Sequence, residues 1–226
     1  LKIVYGNDLG SADALLAKLA GAGVTADVYP YTASYTGIGI VFPEWALGPG
    51  NFERARQTRR EELAIYLRER VLRRNGPEAT LFGTGPWEGR TLAEVADSLD
   101  RPFEDVLIDV IGPTGTSAAY FVMNDAVMRR LLQHPLTVVS SDGSPTMHHP
   151  RGYGSFARVI EEFVVRDEML SLEAAVHKMS GRTADIFGLS DRGTLTVGKR
   201  ADIVLFDPTA VRARATFSDP RQLATG

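Results

Sequence analysis

Leu136-Thr137-Val138-Val139-Ser140-Ser141-Asp142-Gly143 is a short apolar run that ends on a carboxylate and a glycine. Its β-branched residues stand side by side rather than alternating, which predicts a strand buried on both faces, as in parallel sheets covered by helices. The strand stops at about Ser140, so Asp142 is delivered at its C-terminal end, with Gly143 permitting an abrupt turn. In parallel α/β barrels that rim carries the active site. Asp142 therefore has two readings, a catalytic carboxylate or a turn aspartate serving nearby N–H groups, and the local pattern weighs them equally.

The neighbouring sequence continues the alternation of strand and helix. Upstream, 118–123 reads as a strand, Asn124 as the cap of a helix through Val127 and Leu131, and Pro135 as its stop. Downstream, Phe156, Val159, Ile160, Phe163 and Val164 recur at helical spacing. Ser171 opens a further helix bearing Leu172, Ala175, Val176 and Met179, closed at Gly181. Near the start, Ser11 is expected to cap a helix through Ala12, Leu15, Leu16 and Leu19, and 24–31 to form a strand stopped by Pro30. Such βα units imply a parallel sheet.

Two segments depart from this rhythm. From 44 to 115, Pro-Gly turns separate a charged helix near 53–74 from a second helical pair. Thr91 and Glu94 have the capping-box spacing ahead of a helix over 92–99, and Phe103, Val106, Leu107 and Val110 follow at helical intervals. This segment is expected to be an insertion over a barrel mouth, a lid or substrate wall. Beyond Leu189, Gly193-Thr194-Leu195 and the run 201–208 read as short strands.

Other residues could carry chemistry beside Asp142. His148 and His149 are adjacent in a Gly/Pro-rich loop, where their side chains diverge, and His148 reads as loop polarity more than as a ligand. Arg151 offers a planar fork for a substrate carboxylate and serves equally well in a structural salt bridge. Tyr29 and Tyr31 flank Pro30, where they reach a pocket or merely pack. His134 ends a helix as a C-cap group, and His177 reads as solvated or core-edge.

Composition removes several classes of function. The 226 residues are 44% hydrophobic and 23% charged, an ordinary globular balance. A net charge of −3 gives no general attraction to nucleic acid or anionic membrane, and glutamates interleave the arginines between Arg54 and Arg74. No apolar run approaches the roughly 20 residues of a membrane span. Cysteine is absent, which rules out thiolate ligands within the chain and suits a cytoplasmic setting; Leu1-Lys2-Ile3-Val4-Tyr5-Gly6 has no signal-peptide character.

Taken in order, several stretches resemble the amidohydrolase superfamily, and within it the branch of N-acyl-D-amino-acid deacylases (D-aminoacylases). They are Asp27-Val-Tyr-Pro-Tyr-Thr-Ala-Ser34, Ser141-Asp-Gly143, His149-Pro-Arg151 with Gly154-Ser-Phe-Ala-Arg158, and Leu172-Glu-Ala-Ala-Val-His-Lys-Met179. Asp191-Arg-Gly-Thr-Leu-Thr-Val-Gly-Lys-Arg-Ala-Asp-Ile-Val-Leu-Phe-Asp-Pro208 and Ala215-Thr-Phe-Ser-Asp-Pro220 complete the set. The resemblance implies an α/β fold, the C-terminal part of a (β/α)8 TIM-like barrel of the metal-dependent hydrolase type, with a helical insertion and part of a small β-sandwich. It assigns 1–43 and 116–189 to the barrel, 44–115 to the insertion or lid, and 190–226 to the sandwich.

The resemblance also implies zinc-dependent hydrolysis of the amide of an N-acyl-D-amino acid. Asp142 matches the family's strand-eight carboxylate, the catalytic base and a possible weak metal ligand. Lys2, Tyr29 and Arg151 match the residues that clamp the substrate α-carboxylate. The family's histidine metal ligands have no counterpart here, so Zn2+ is expected to be held by an N-terminal remainder of the same enzyme, and the 226-residue chain to be inactive alone. Two other functions fit less closely: a cyclic-amide hydrolase of the dihydroorotase or hydantoinase kind, and a non-catalytic homologue.

Overall fold

The computed structural model describes residues 9–144 and 146–226. Lys2 therefore lies outside the described residues. The chain opens with helix α1 (Leu9–Gly21), strands β1 (Ala26–Val28) and β2 (Ser34–Gly37), and helices α2 (Asn51–Thr58) and α3 (Arg60–Leu72). Strand β3 (Thr80–Phe82), helices α4 (Leu92–Ser98) and α5 (Phe103–Val106) and strand β4 (Ser117–Tyr120) follow. Helix α6 (Asp125–Gln133), strand β5 (Thr137–Val139) and helices α7 (Arg151–Arg158), α8 (Leu172–Met179) and α9 (Gly181–Ile186) complete the described α-helices and strands, with a wider π-helical stretch over Val159–Arg166 continuing α7.

These elements divide into two compact units. One comprises the chain up to Thr32, Met123–Thr146 and Pro150–Gly226; the other comprises Ala33–Val122 with Met147–His149. In the first, β1 and β5 pair in parallel with Val28 opposite Val139, joined by a crossover too long for a hairpin, as parallel strands require. Val28 and Val139 pack into a core with Leu16 of α1, Met128 and Leu132 of α6, Phe163 beyond α7, and Ala175 of α8. Side chains alternate along a strand, so the neighbouring Tyr29 and Ser140 belong to the opposite face.

The second unit is built on an antiparallel sheet in the order β2-β4-β3, with Ala119 opposite both Tyr35 and Leu81. The strand expected over 118–123 thus lies at the centre of this sheet instead of continuing the parallel rhythm. Ladders on both of its edges draw 34–37 and 117–120 into the unit, which makes it wider on each side than the segment 44–115. Leu63, Leu67 and Val71 of α3 recur at helical spacing and are buried. Across the unit's surface, Arg60 bonds to Asp105 at 2.6 Å and to Asp109 at 2.7 Å, and Arg101 also bonds Asp109. Hydrogen bonds from Arg60, with those from Arg101, hold the Asp109 carboxyl down at about 2.

Helix starts follow the capping residues closely. The Glu94 N–H donates to Thr91 Oγ1 at 3.2 Å while the Thr91 N–H donates to Glu94 Oε2 at 2.7 Å, a complete capping box. Asn124 accepts from the Val127 N–H and Ser171 from the Ala174 N–H, each at 3.1 Å. Other expectations are corrected. Ser11 sits inside α1, which starts at Leu9. The charged helix is broken at Arg59, whose backbone leaves the helical region at φ −136° while its guanidinium stacks over the Trp45 ring at 3.9 Å.

The short strands expected at 193–195 and 201–208 form no ladder among the described residues. A β-strand is stabilised by the partner that completes its hydrogen bonds, and the described residues offer none there; Val197 and Leu205 are fully exposed. The chain docks again at Val211 and Ala215, both buried, and Arg212 bridges to Thr225. Among the described residues, no helix is long and apolar enough to cross a membrane.

Candidate functional site

Strands β1 and β5 run in the same direction, so their C-terminal ends bring Tyr29 and 140–142 to one edge of the sheet. The Ser140 N–H donates to the Val28 carbonyl at 3.0 Å, extending the ladder one step past β5. Asp142 then turns into the left-handed region at φ +45°, unusual for a non-glycine residue. Its carboxylate does not serve the local turn in the way the turn reading required. Gly143 N–H donates instead to Ser141 Oγ at 3.2 Å, and Asp142 Oδ2 is bonded to Arg151 Nη2 at 2.8 Å.

Arg151 is the first residue of α7 and is 3% exposed. Its Nε donates to the Asp142 main-chain carbonyl at 3.1 Å, so one edge of the guanidinium fork grips both the backbone and the side chain of Asp142. Its plane lies over the Tyr29 ring at 4.6 Å, a cation–π contact in a desolvated setting. Tyr29 donates its hydroxyl to Met123 Sδ at 3.4 Å, a weak acceptor. Burial pushes the Tyr29 phenol up, with Asp142 adding to the shift and Arg151 opposing it. The phenol therefore stays protonated near neutral pH, a donor and not an anion.

Three residues expected at the site thus meet: Asp142, Arg151 and Tyr29. Lys2 falls outside the described residues. The arrangement can hold an anion at Arg151 and Tyr29 and can present a carboxylate beside it, since the Asp142 side chain is half exposed. Tyr31 turns to structural work: it packs edge-on against Phe217 and beneath the Arg158 guanidinium, and burial raises its phenol to about 12.

The histidines do other things. His149 is fully buried and its Nε2 bonds the Ala33 carbonyl at 3.0 Å. His148 Nδ1 pairs with Glu88 at 2.8 Å. His134 is the C-cap of α6, and His177 is solvated. Among the described residues, no three His, Cys, Asp or Glu side chains gather where they could hold a metal ion. Asp142 is a lone carboxylate with an oxygen committed to Arg151, so these residues by themselves do not fit a zinc site.

Helix α8 carries a buried cation that the sequence pattern did not foretell. Lys178 of α8 donates to the carbonyls of His134 at 2.5 Å and Thr137 at 2.8 Å, at the start of β5 and so at the opposite end from Asp142. Burial pushes its ammonium down to about 8. The apolar stripe put Val176 inside, but Val176 is 40% exposed and Lys178 is buried three residues beyond Ala175. The i, i+3 offset from Ala175 was the available signal, masked by the polarity of lysine.

Comparison with known proteins places this geometry in context. The model of the amidohydrolase family matches residues 94–225. An N-acyl-D-aspartate deacylase of Alcaligenes xylosoxydans xylosoxydans is 43% identical over 152 residues, covering 66% of this chain and 28% of that protein. An N-acyl-D-glutamate deacylase of the same organism is 36% identical over 212 residues, covering 93% of this chain and 37% of the relative. Among solved structures, the N-acyl-D-glutamate deacylase of Bordetella bronchiseptica, complexed with zinc and a phosphonate mimic of the tetrahedral intermediate, superposes with a TM-score of 0.74. That match has 29% identity over 98% of this chain and 42% of the other. The chain thus spans between about a quarter and two-fifths of the length of these relatives.

Proposed function

The chain belongs to the amidohydrolase family, and from that premise we propose that it is the C-terminal portion of a zinc-dependent N-acyl-D-amino-acid deacylase. The reaction is hydrolysis: water adds to the acyl carbonyl, the C–N bond breaks, and a carboxylate and a D-amino acid leave. What carries the proposal is the meeting of Asp142, Arg151 and Tyr29 beyond the C-terminal ends of two parallel strands.

Each residue has a task suited to its surroundings. Asp142, half exposed, is the base that takes a proton from the hydrolytic water and passes it to the leaving amine. Arg151 supplies a buried, permanently charged fork for the substrate α-carboxylate, and Tyr29 supplies a protonated hydroxyl beside it. Lys2 is assigned to the same clamp on the sequence match alone. Zinc is assigned to histidines outside this chain, with Asp142 at most a weak ligand. Residues 1–43 and 116–189 are assigned to the barrel, 44–115 to its insertion and 190–226 to part of the sandwich, in a cytoplasmic enzyme.

The test is a steady-state assay of the full-length protein on N-acetyl-D-amino acids, with D-aspartate and D-glutamate derivatives first, beside hydantoin and dihydroorotate. Turnover of the open-chain substrates is expected, and Asp142→Asn should lower kcat by about a thousandfold, within the range of a lost general base. Preference for the cyclic amides, or an Asp142→Asn enzyme of undiminished kcat, would overturn the proposal. The 226-residue chain on its own is expected to be inactive.

A further inference from the structure

Arg151 and Asp142 have separate tasks in the proposed reaction, yet they are bonded to each other. Arg151 Nη2 holds the Asp142 carboxylate at 2.8 Å and Nε holds the Asp142 carbonyl at 3.1 Å, so the edge that would grip an incoming carboxylate is already filled. The two partners differ in freedom. Arg151 is 3% exposed, anchored at the start of α7 with its guanidinium over Tyr29, whereas the Asp142 side chain is 47% exposed on a left-handed turn. When an anion arrives, the aspartate is the group that moves.

We propose that Arg151 determines specificity at the level of turnover as well as binding: a substrate α-carboxylate replaces the Asp142 carboxylate on Arg151 and thereby releases Asp142 to the hydrolytic water. The inference rests on the deacylase function proposed above. Its physical basis is the cost of leaving a buried guanidinium unpaired. Exchanging one carboxylate for another keeps that charge compensated. A neutral N-acyl amine offers no replacement, so Asp142 stays on Arg151 and the amide sits beside a base that is occupied. Discrimination against such a substrate therefore falls on kcat, where loss of a simple binding contact would fall on KM.

The experiment uses the full-length enzyme with an N-acetyl-D-amino acid and the matching N-acetyl amine that lacks the carboxylate. Wild-type kcat on the amine is expected to be lower by about a hundredfold, and added acetate should raise it saturably by filling Arg151. Arg151→Met, which keeps an unbranched apolar stem without the charged fork, should weaken kcat/KM on the acid substrate and raise kcat on the amine above wild type. In that variant acetate should have no effect. Equal wild-type kcat on both substrates, no response to acetate, or an Arg151→Met enzyme that loses kcat on both would overturn the inference while leaving the deacylase assignment in place. No turnover of any N-acetyl-D-amino acid by the wild type would overturn the assignment itself. The acetate response is read on unmodified protein, so it does not depend on a variant that folds.

Discussion

The stretch Ala33–Val122 is poorer in apolar residues than the segment 195–205, yet the two live in opposite environments. In the first, Ala118, Ala119 and Tyr120 lie between two strands and are fully buried, with Leu63 and Leu67 packed in the same unit. In the second, Leu195, Val204 and Leu205 are each at least 80% exposed. Apolar content is the same kind of driving force in both. The difference lies in whether a neighbour supplies the hydrogen bonds that let a strand leave water, because an unpaired backbone group is costly to bury.

Amide exchange should open the widest gap between the two regions. Amides of β4 are expected to exchange at least about a thousandfold more slowly than those of Ile203, Val204 and Leu205, since the former need unfolding of the unit and the latter need nothing. Comparable protection at 203–205 in the 226-residue chain would break the contrast. Substitution gives the next effect. Leu67→Ala should cost about 3 kcal/mol in urea unfolding, the range for emptying a closed core, and Leu205→Ser should stay within about 0.5 kcal/mol.

Lys178 tests the region that anchors β5. Its ammonium titrates at about 8 when folded, against 10.5 as its ordinary value. Between those values the unfolded chain binds more protons, so stability rises with pH from about 8 and is diminished again as pH falls through 8. Tyr31 acts in the other direction above 10, because its folded phenol titrates at about 12 and the unfolded one ionises first. The rise between pH 8 and 10 should amount to roughly 1–2 kcal/mol, less than the full shift implies because carbonyls accept from the ammonium. A Lys178→Met chain that kept the same slope in a pH series of melts would remove Lys178 as its cause. The smallest effect belongs to the cap: Thr91→Ala should cost about 1 kcal/mol and Thr91→Ser almost nothing, a difference that differential scanning of both variants would read.

The capping residues of three helices and the end of the buried strand were legible in the residues. The Thr91–Glu94 box, Asn124 and Ser171 were each found doing what their spacing foretold. Asp142 was correctly put at the end of a buried strand, and Arg151 was left with two readings, of which the structure displays the ion pair. The break at Arg59 was not legible, because every residue from Phe52 to Val71 suits a helix and the interruption is tied to a contact with Trp45. Lys178 was missed because a lysine is normally read as solvent-facing.

By itself the sequence determined what depends on contacts three or four residues apart: helix starts and stops, the buried apolar strand, and the order of motifs that mark the family. Tertiary structure alone decided which strands pair, whether 193–208 becomes a sheet, and that Arg151 closes on Asp142. The reason is physical. A cap or helical turn is satisfied by groups already adjacent in the chain, whereas a ladder or a buried ion pair exists only when distant residues arrive together and replace water for each other.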